Sequence, residues 1–374
     1  MIKRSLISLI ASLLFVTVAF PAQARTEEPV TTADSVAVLD KKVSTLQKIV
    51  EKLPDISGFI QFLYTYEDSA TPVNSQFRVR RARITLAGNI YKNYADYNLM
   101  VDFAGNVKLI DAYLRFTPWK QFNVQIGSFR PAFTLENVNY GATTMELIDY
   151  PQIVKKMTSI GDITGLGSGS AGRDIGIQAY GGFFNGRGFS TLQYYIGVFN
   201  GNGLDFNGLN GHKDIAVMLR INPTKDLAII GSLYWGQWCW NGANTYADRN
   251  RWSAGFLFDN KRWFLRGEYI GGVTGGLSGD SSRDTNLRSD GAYLTGGVWF
   301  CDGKVAPILR AEYYTQNIEA RRNNAPANTD IFYTAGVCYR PRKFLRVQAD
   351  YTAMTYTCSN RRGNQVLVML TGMF

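Results

Sequence analysis

The feature that most constrains this chain is a period of two that runs through almost all of it. Ile60, Phe62, Tyr64 and Tyr66 alternate with Gln61, Leu63 and Thr65. Tyr97, Leu99, Val101 and Phe103 alternate with Asp96, Asn98, Met100 and Asp102. Ile215, Val217, Leu219 and Ile221 alternate with Asp214, Ala216, Met218 and Arg220, and Leu345, Val347, Ala349 and Tyr351 with Arg346, Gln348 and Asp350. One face is apolar and the other polar or charged, which is strand patterning. The spacing predicts sixteen strands, near 56–66, 76–88, 94–103, 108–117, 122–130, 173–183, 190–199, 213–222, 227–238, 250–258, 262–270, 291–300, 304–316, 330–339, 344–355 and 364–374.

The connections sort by length. Pro118–Gln121, Pro223–Asp226, Asp259–Lys261, Cys301–Gly303 and Arg340–Lys343 are short, and 131–172, 200–212, 239–249, 271–290 and 317–329 are long and mostly fall between them. Short turns on one side and long loops on the other belong to an outer-membrane barrel, in which lipid takes the apolar face and water the polar one. A soluble sandwich has no reason to sort its loops so, nor to hide arginines and aspartates. Aromatics near the strand ends, among them Tyr64, Tyr66, Phe116, Trp119, Phe122, Trp235, Trp238, Trp263, Phe300 and Phe344, would form the interfacial girdles, and the chain ends on Phe374. The fold expected is all-β, a 16-stranded antiparallel transmembrane barrel over 55–374 preceded by a short periplasmic helix.

The amino terminus fits export. Lys3 and Arg4 precede an apolar run from Leu6 to Phe20, and Ala22-Gln23-Ala24 is a cleavage site, so 1–24 reads as a signal peptide. The segment 25–54 follows. Within it Val36, Leu39, Val43, Leu46, Val50 and Leu53 form a heptad seam closed by Pro54. Two readings stand: a coiled coil that helps an oligomer form, or an amphipathic helix packed on its own barrel. The formal net charge of +10 drops by two with the signal peptide, and export argues against nucleic acid as the partner. The expected cell address is the outer membrane of a Gram-negative bacterium.

The most basic stretch is Phe77–Leu86, FRVRRARITL, with arginines at 78, 80, 81 and 83. Phe77 and Val79 put Arg78 and Arg80 on the opposite face, whereas Ala82, Ile84 and Leu86 put Arg81 and Arg83 opposite themselves, so the two halves are out of phase. An arginine on the lipid face costs ~2–4 kcal/mol at the midplane, and a bulge resets the phase with little loss of pairing. We therefore expect a bulge near Arg80-Arg81 that turns all four side chains into the lumen. Neighbouring guanidinium groups repel by roughly 2 kcal/mol at ~7 Å and an effective dielectric near 20, a cost that acidic neighbours or a passing anion would offset. Alternation adds inward Arg115, Arg220, Arg266, Arg310 and Arg346 against Asp96, Asp102, Asp111, Glu268, Glu312 and Asp350. Arg266 with Glu268 and Arg310 with Glu312 read as ion pairs that brace the wall. Basic rings select anions, so Arg78, Arg80, Arg81, Arg83, Arg115 and Arg220 are the candidate anion pathway.

The motifs "FRVRRARITLAG" at 77–88, "VKLIDAYLRF" at 107–116, "VQIGSFRPAFTLE" at 124–136, "RDIGIQAYGG" at 173–182 and "YYIGVFNGNG" at 194–203 together resemble the phosphate-selective porin O and P family. The resemblance implies a sixteen-stranded barrel, a homotrimer, and a third outward loop folded inward as a constriction; 131–172 stands at that position. It also implies phosphate or polyphosphate among the small anionic solutes carried. Lys155 and Lys156 are the candidates for a basic narrow point in that loop. A broad general-diffusion porin, and a surface receptor or adhesin on a barrel platform, are the alternatives.

Catalysis finds no support in the residues. The single histidine, His212, ends a Gly/Asn-rich loop, and no cluster of metal-ligand type appears, so no cofactor and no metal are expected. Of the four cysteines, Cys239 and Cys358 map to the outer side and Cys301 and Cys338 to the periplasmic side. No disulfide is expected to be essential.

Overall fold

The computed structural model describes residues 39–45, 53–69, 72–162, 169–186, 188–204, 211–239, 246–273, 288–322, 329–357 and 360–374. The proposed signal peptide at 1–24 lies outside them, as does most of the heptad segment 36–53, of which residues 39–45 are helical and exposed. No helix among the described residues is long and apolar enough to cross a membrane.

The strands are β1 (Asp55–Glu67), β2 (Asn74–Tyr91), β3 (Ala95–Asp102), β4 (Lys108–Phe116), β5 (Asn123–Phe129), β6 (Asp174–Phe183), β7 (Leu192–Phe199), β8 (Asp214–Ile221), β9 (Leu227–Trp235), β10 (Gln237–Cys239), β11 (Tyr246–Asp248), β12 (Arg251–Asp259), β13 (Trp263–Val273), β14 (Arg288–Val298), β15 (Val305–Thr315), β16 (Thr329–Arg342), β17 (Leu345–Tyr356) and β18 (Arg361–Met373). Sixteen of them close an antiparallel barrel, with each strand beside its sequence neighbour and β1 beside β18. The expected strand at 227–238 ends earlier, at Trp235. Beyond it β10 and β11 pair only with each other, as a hairpin outside the barrel.

Closure joins Phe59–Glu67 to Gln365–Met373. Gly58 and Phe374 exchange both backbone bonds at the seam, at 3.1 and 3.0 Å. A Cβ at Gly58 would stand 2.5 Å from Arg83 O and from the Phe374 ring, so only glycine fits there.

Alternation sets the two faces. Phe62, Leu309 and Tyr333 are 52%, 69% and 61% exposed on the outer face, where lipid belongs. Their neighbours Leu63, Arg310 and Thr334 are buried inside. Trp119, Trp263, Phe300 and Phe344 sit exposed at the short-turn end, as a girdle requires. The side chain of Trp238 lies outside the described residues.

Inside the barrel the expectation of an all-polar wall fails on one side. Met218 of β8, Ile230 and Tyr234 of β9, Ile270 of β13, Tyr293 of β14 and Tyr314 of β15 face inward and are buried. They meet Phe133, Leu135, Ile153, Val154 and Met157 of the segment 130–162, which folds into the lumen. Apolar wall residues such as Met218 thus sit among polar positions because another part of the chain covers them.

Candidate permeation pathway

The strand that carries FRVRRARITL bulges where the phase breaks. Gln61 pairs with Arg81 and Phe62 with Val79, which leaves Arg80 as the extra residue. The shift brings both halves into phase. Arg78 stands opposite Leu63, whose buried side chain packs against Ile148 of the inward loop. Arg81 and Arg83 stand opposite Gln61 and Phe59, also on the inner face. Arg80, in the bulge, reaches Asp149 of the inward loop. The register thus puts Arg78, Arg81 and Arg83 on the inner face, and Arg80 reaches the inward loop. A second bulge, not foreseen, lies at Ile110 between Leu109 and Asp111.

The four arginines differ in surroundings. Arg80 is bonded to Asp149, and Lys155 approaches the same carboxylate at 3.8 Å. Arg81 donates to the neutral amide of Gln61, Nη1 to Oε1 2.9 Å. Arg83 is buried and donates from Nε to Asp102 Oδ2 at 2.7 Å, so its charge is answered inside the wall. Arg78 is exposed at the outer end of the cluster. Burial alone would push the Asp149 carboxyl up, but Arg80 and Lys155 outweigh it and hold it well below the usual carboxylate range.

Two arginines that the sequence reading passed over complete this side. Arg173 forms a two-pronged pair with Asp111, at 2.9 and 3.2 Å. Arg130 is bonded not to an acid but to the loop carbonyls of Asn137, at 2.7 Å, and Tyr140. Both lie inside quoted motifs, "FRPAF" and "RDIG", at the two roots of the loop, and that position was the available signal. On this side Arg80, Arg81, Arg83, Arg130, Arg173 and Lys155 face three carboxylates, those of Asp102, Asp111 and Asp149.

On the far side the wall charges hold the loop. Within it lie α1 (Leu135–Asn139) and α2 (Gln152–Lys156). The expected brace between Arg266 and Glu268 does not form. Arg266 instead pairs with Glu136 at 2.7 Å and Glu146 at 2.8 Å, both in the loop, and its guanidinium lies 4.0 Å from the Tyr140 ring centroid. Glu268 accepts from the backbone N–H of Leu135 at 2.8 Å and from the Tyr293 hydroxyl at 3.1 Å. The strong acceptor at the start of α1 leaves Arg266 to the loop carboxylates. Arg310 and Glu312 do pair, at 3.1 Å, and each also grips the loop, Arg310 at Asp149 O and Glu312 at Gln152 N. Asp350 accepts from Ile148 N at 2.7 Å and Arg346 donates to Met145 O at 3.0 Å. Arg251 clasps Asp162 near the loop's return.

The remaining predicted residues line the open wall. Arg115 pairs with Asp96 at 2.8 Å, yet its side chain is 41% exposed, against 3% for Arg266. Arg220 donates to two neutral oxygens, Asn222 Oδ1 at 2.9 Å and Asn139 Oδ1 at 3.0 Å. Lys156 is exposed, and His212 stands exposed in its loop. Cys301 and Cys338 are free thiols, the first exposed and the second buried. Cys358 and the side chain of Cys239 lie outside the described residues.

This architecture has counterparts among known proteins. Residues 59–196 match the family described as phosphate-selective porin O and P. None of the curated protein sequences compared with the chain is significantly similar. Among solved structures, an anion-selective porin from Comamonas acidovorans superposes with a TM-score of 0.66 at 10% identity, covering 86% of this chain and 99% of that one. Salmonella typhi OmpF in complex with daunomycin gives 0.62 at 14% identity, covering 87% and 98%. The trimer form of OmpT from Vibrio cholerae gives 0.57 at 11% identity, covering 86% and 99%. At such identities these structures speak for the fold alone. With the family match over β1–β7 and a closed barrel of sixteen strands, the chain has the architecture of an outer-membrane porin and resembles the phosphate-selective porin O and P family over its first seven strands.

Proposed function

We propose that the pore passes small anions in preference to cations, inorganic phosphate among them. The observation that carries this is Arg81. It lies on the inner wall between Arg80 and Arg83, and its hydrogen bond goes to a neutral amide. A guanidinium so placed, with Asp149 near but not hydrogen-bonded to it, offers a solute the planar fork that suits phosphate. Arg220, held by two neutral oxygens, extends the positive wall toward the periplasmic end. The description of the matched family and of the Comamonas porin supports the same preference.

The test is the reversal potential of the purified protein in a planar bilayer under a KCl gradient. Anion preference is expected, weakened in Arg81→Gln. Low phosphate is expected to inhibit the chloride current in the parent and less so in the variant. Cation preference overturns the proposal, and absence of any current favours a receptor or adhesin platform.

A broad general-diffusion pore is the second reading. The observation that favours it is the loop, whose Glu136, Glu146, Asp149 and Asp162 engage much of the wall's basic charge. Chloride current insensitive to phosphate, with only slight anion preference, supports that reading. We also propose a homotrimer, supported by the trimeric OmpT neighbour, with the segment Val36–Leu53 as an aid to assembly.

A further inference from the structure

The periplasmic half of the pore carries a set of side chains that anion selection alone does not call for. Tyr113 of β4, Tyr180 of β6 and Tyr195 of β7 all face the lumen and are half-buried. Tyr180 and Tyr195 are directly opposed in register, with parallel rings, 8° apart in plane and 5.9 Å between centroids. The Arg115 guanidinium lies 5.5 Å from the Tyr113 ring centroid. Arg220, one strand beyond Tyr195, brings a guanidinium whose hydrogen bonds among the described residues go to neutral oxygens, within electrostatic reach of that tyrosine. Gln178 stands two residues from Tyr180 on the same face, is 6% exposed, and its Oε1 has no hydrogen-bond partner among the described residues.

Water-filled wall does not need aromatic rings. Tyr113 and Tyr195 pack at the edge of the loop's apolar cluster, yet all three rings stay half-buried, unlike Tyr234 and Tyr293, which are buried. Rings beside a cation and an unused buried amide are the elements that hold a solute with a ring face, hydroxyl groups and a negative charge. The rings take the ring's apolar C–H face, the amide takes a hydroxyl, and Arg220 takes the anion in charge-assisted bonds. We propose that this wall is a binding subsite for phosphorylated sugars, which pass the pore with a residence there that inorganic phosphate lacks. The inference rests on the reading of the chain as an anion-preferring porin and narrows its substrate class.

Single-channel recording tests it, with glucose 6-phosphate, inorganic phosphate and glucose as blockers of the chloride current. Glucose 6-phosphate is expected to block for longer than either of the others. In the double variant Tyr180→Leu, Tyr195→Leu its dwell time falls about three- to tenfold, as loss of ring contacts implies. Block by inorganic phosphate and the reversal potential stay as in the parent. Tyr180→Phe with Tyr195→Phe keeps the rings and is expected to retain the long block, which separates stacking from a disturbed wall. Equal dwell times for glucose 6-phosphate and inorganic phosphate in the parent overturn the subsite and leave anion preference standing. An equal fall in the leucine variant for both anions does so too. A cation-selective reversal potential in the same recordings overturns the underlying reading instead.

Discussion

Replacing Arg266 with methionine tests whether the wall charges exist to seat the inward loop. Arg266 is 2% exposed, pairs with Glu136 and Glu146, and lies against the Tyr140 and Phe264 rings. Methionine keeps much of the volume and removes the charge, stranding two carboxylates beside a third, Glu268. Breaking a buried ion pair from one side costs about 3–5 kcal/mol. Against this stands the apolar seat. Five buried loop side chains, Phe133, Leu135, Ile153, Val154 and Met157, contribute about 1.5–3 kcal/mol each, an upper estimate. Their total of roughly 7–15 kcal/mol exceeds the loss, so the loop stays in the lumen and only the arm from 136 to 146 loosens.

Current noise at neutral pH should rise in Arg266→Met, and backbone amides of that arm should exchange faster with deuterium. The defect is pH-dependent. Burial already raises the Glu136 carboxyl despite Arg266, and without the arginine it rises further. A raised carboxyl penalises the folded loop as pH climbs above the ordinary carboxylate value of about 4.3, and the penalty is complete above the raised value. Noise should therefore subside on acidification, and Glu136→Gln with Glu146→Gln should quiet the variant at neutral pH. Unchanged noise and exchange in Arg266→Met would refute the seating role.

Asp149→Asn leaves Arg80 and Lys155 without their shared carboxylate and should strengthen anion preference, read as a larger reversal potential in the same KCl gradient. In the parent, Asp149 titrates well below the usual range. Its stabilisation is thus full above about pH 4 and lost only as pH falls toward the depressed value. Conductance between pH 4 and 8 should show no step that Asp149→Asn abolishes. Deletion of Arg80 removes only the bulged residue and keeps Arg78, Arg81 and Arg83 on the inner face. The barrel should still migrate as a heat-modifiable band, and failure to assemble would contradict the register. A reductant should leave the folded barrel intact, and a maleimide should label Cys301 and spare Cys338.

The barrel was legible because its signal is local. Each strand states its two faces by alternation, and the loops state their side by length. Even the bulge was readable, because Arg80-Arg81 breaks a period of two that lipid enforces at a cost of ~2–4 kcal/mol per misplaced arginine. The partners of the inner charges were not legible for the same reason. Alternation says that Arg266 and Glu268 share a face, and nearness along one strand made them look like a pair. It carries no information on what crosses the lumen to meet them. Leu135 N–H and Glu136 arrive from 133 and 130 residues away, with a helix start for one partner and a carboxylate for the other. A buried acceptor facing backbone N–H groups that must be satisfied is claimed by them, and Arg266 is left to the loop's acids. Met218 and Ile230 gave the one hint in the sequence. Apolar side chains on a face meant for water require a cover, and the longest loop is the only outward segment with apolar residues enough to provide it.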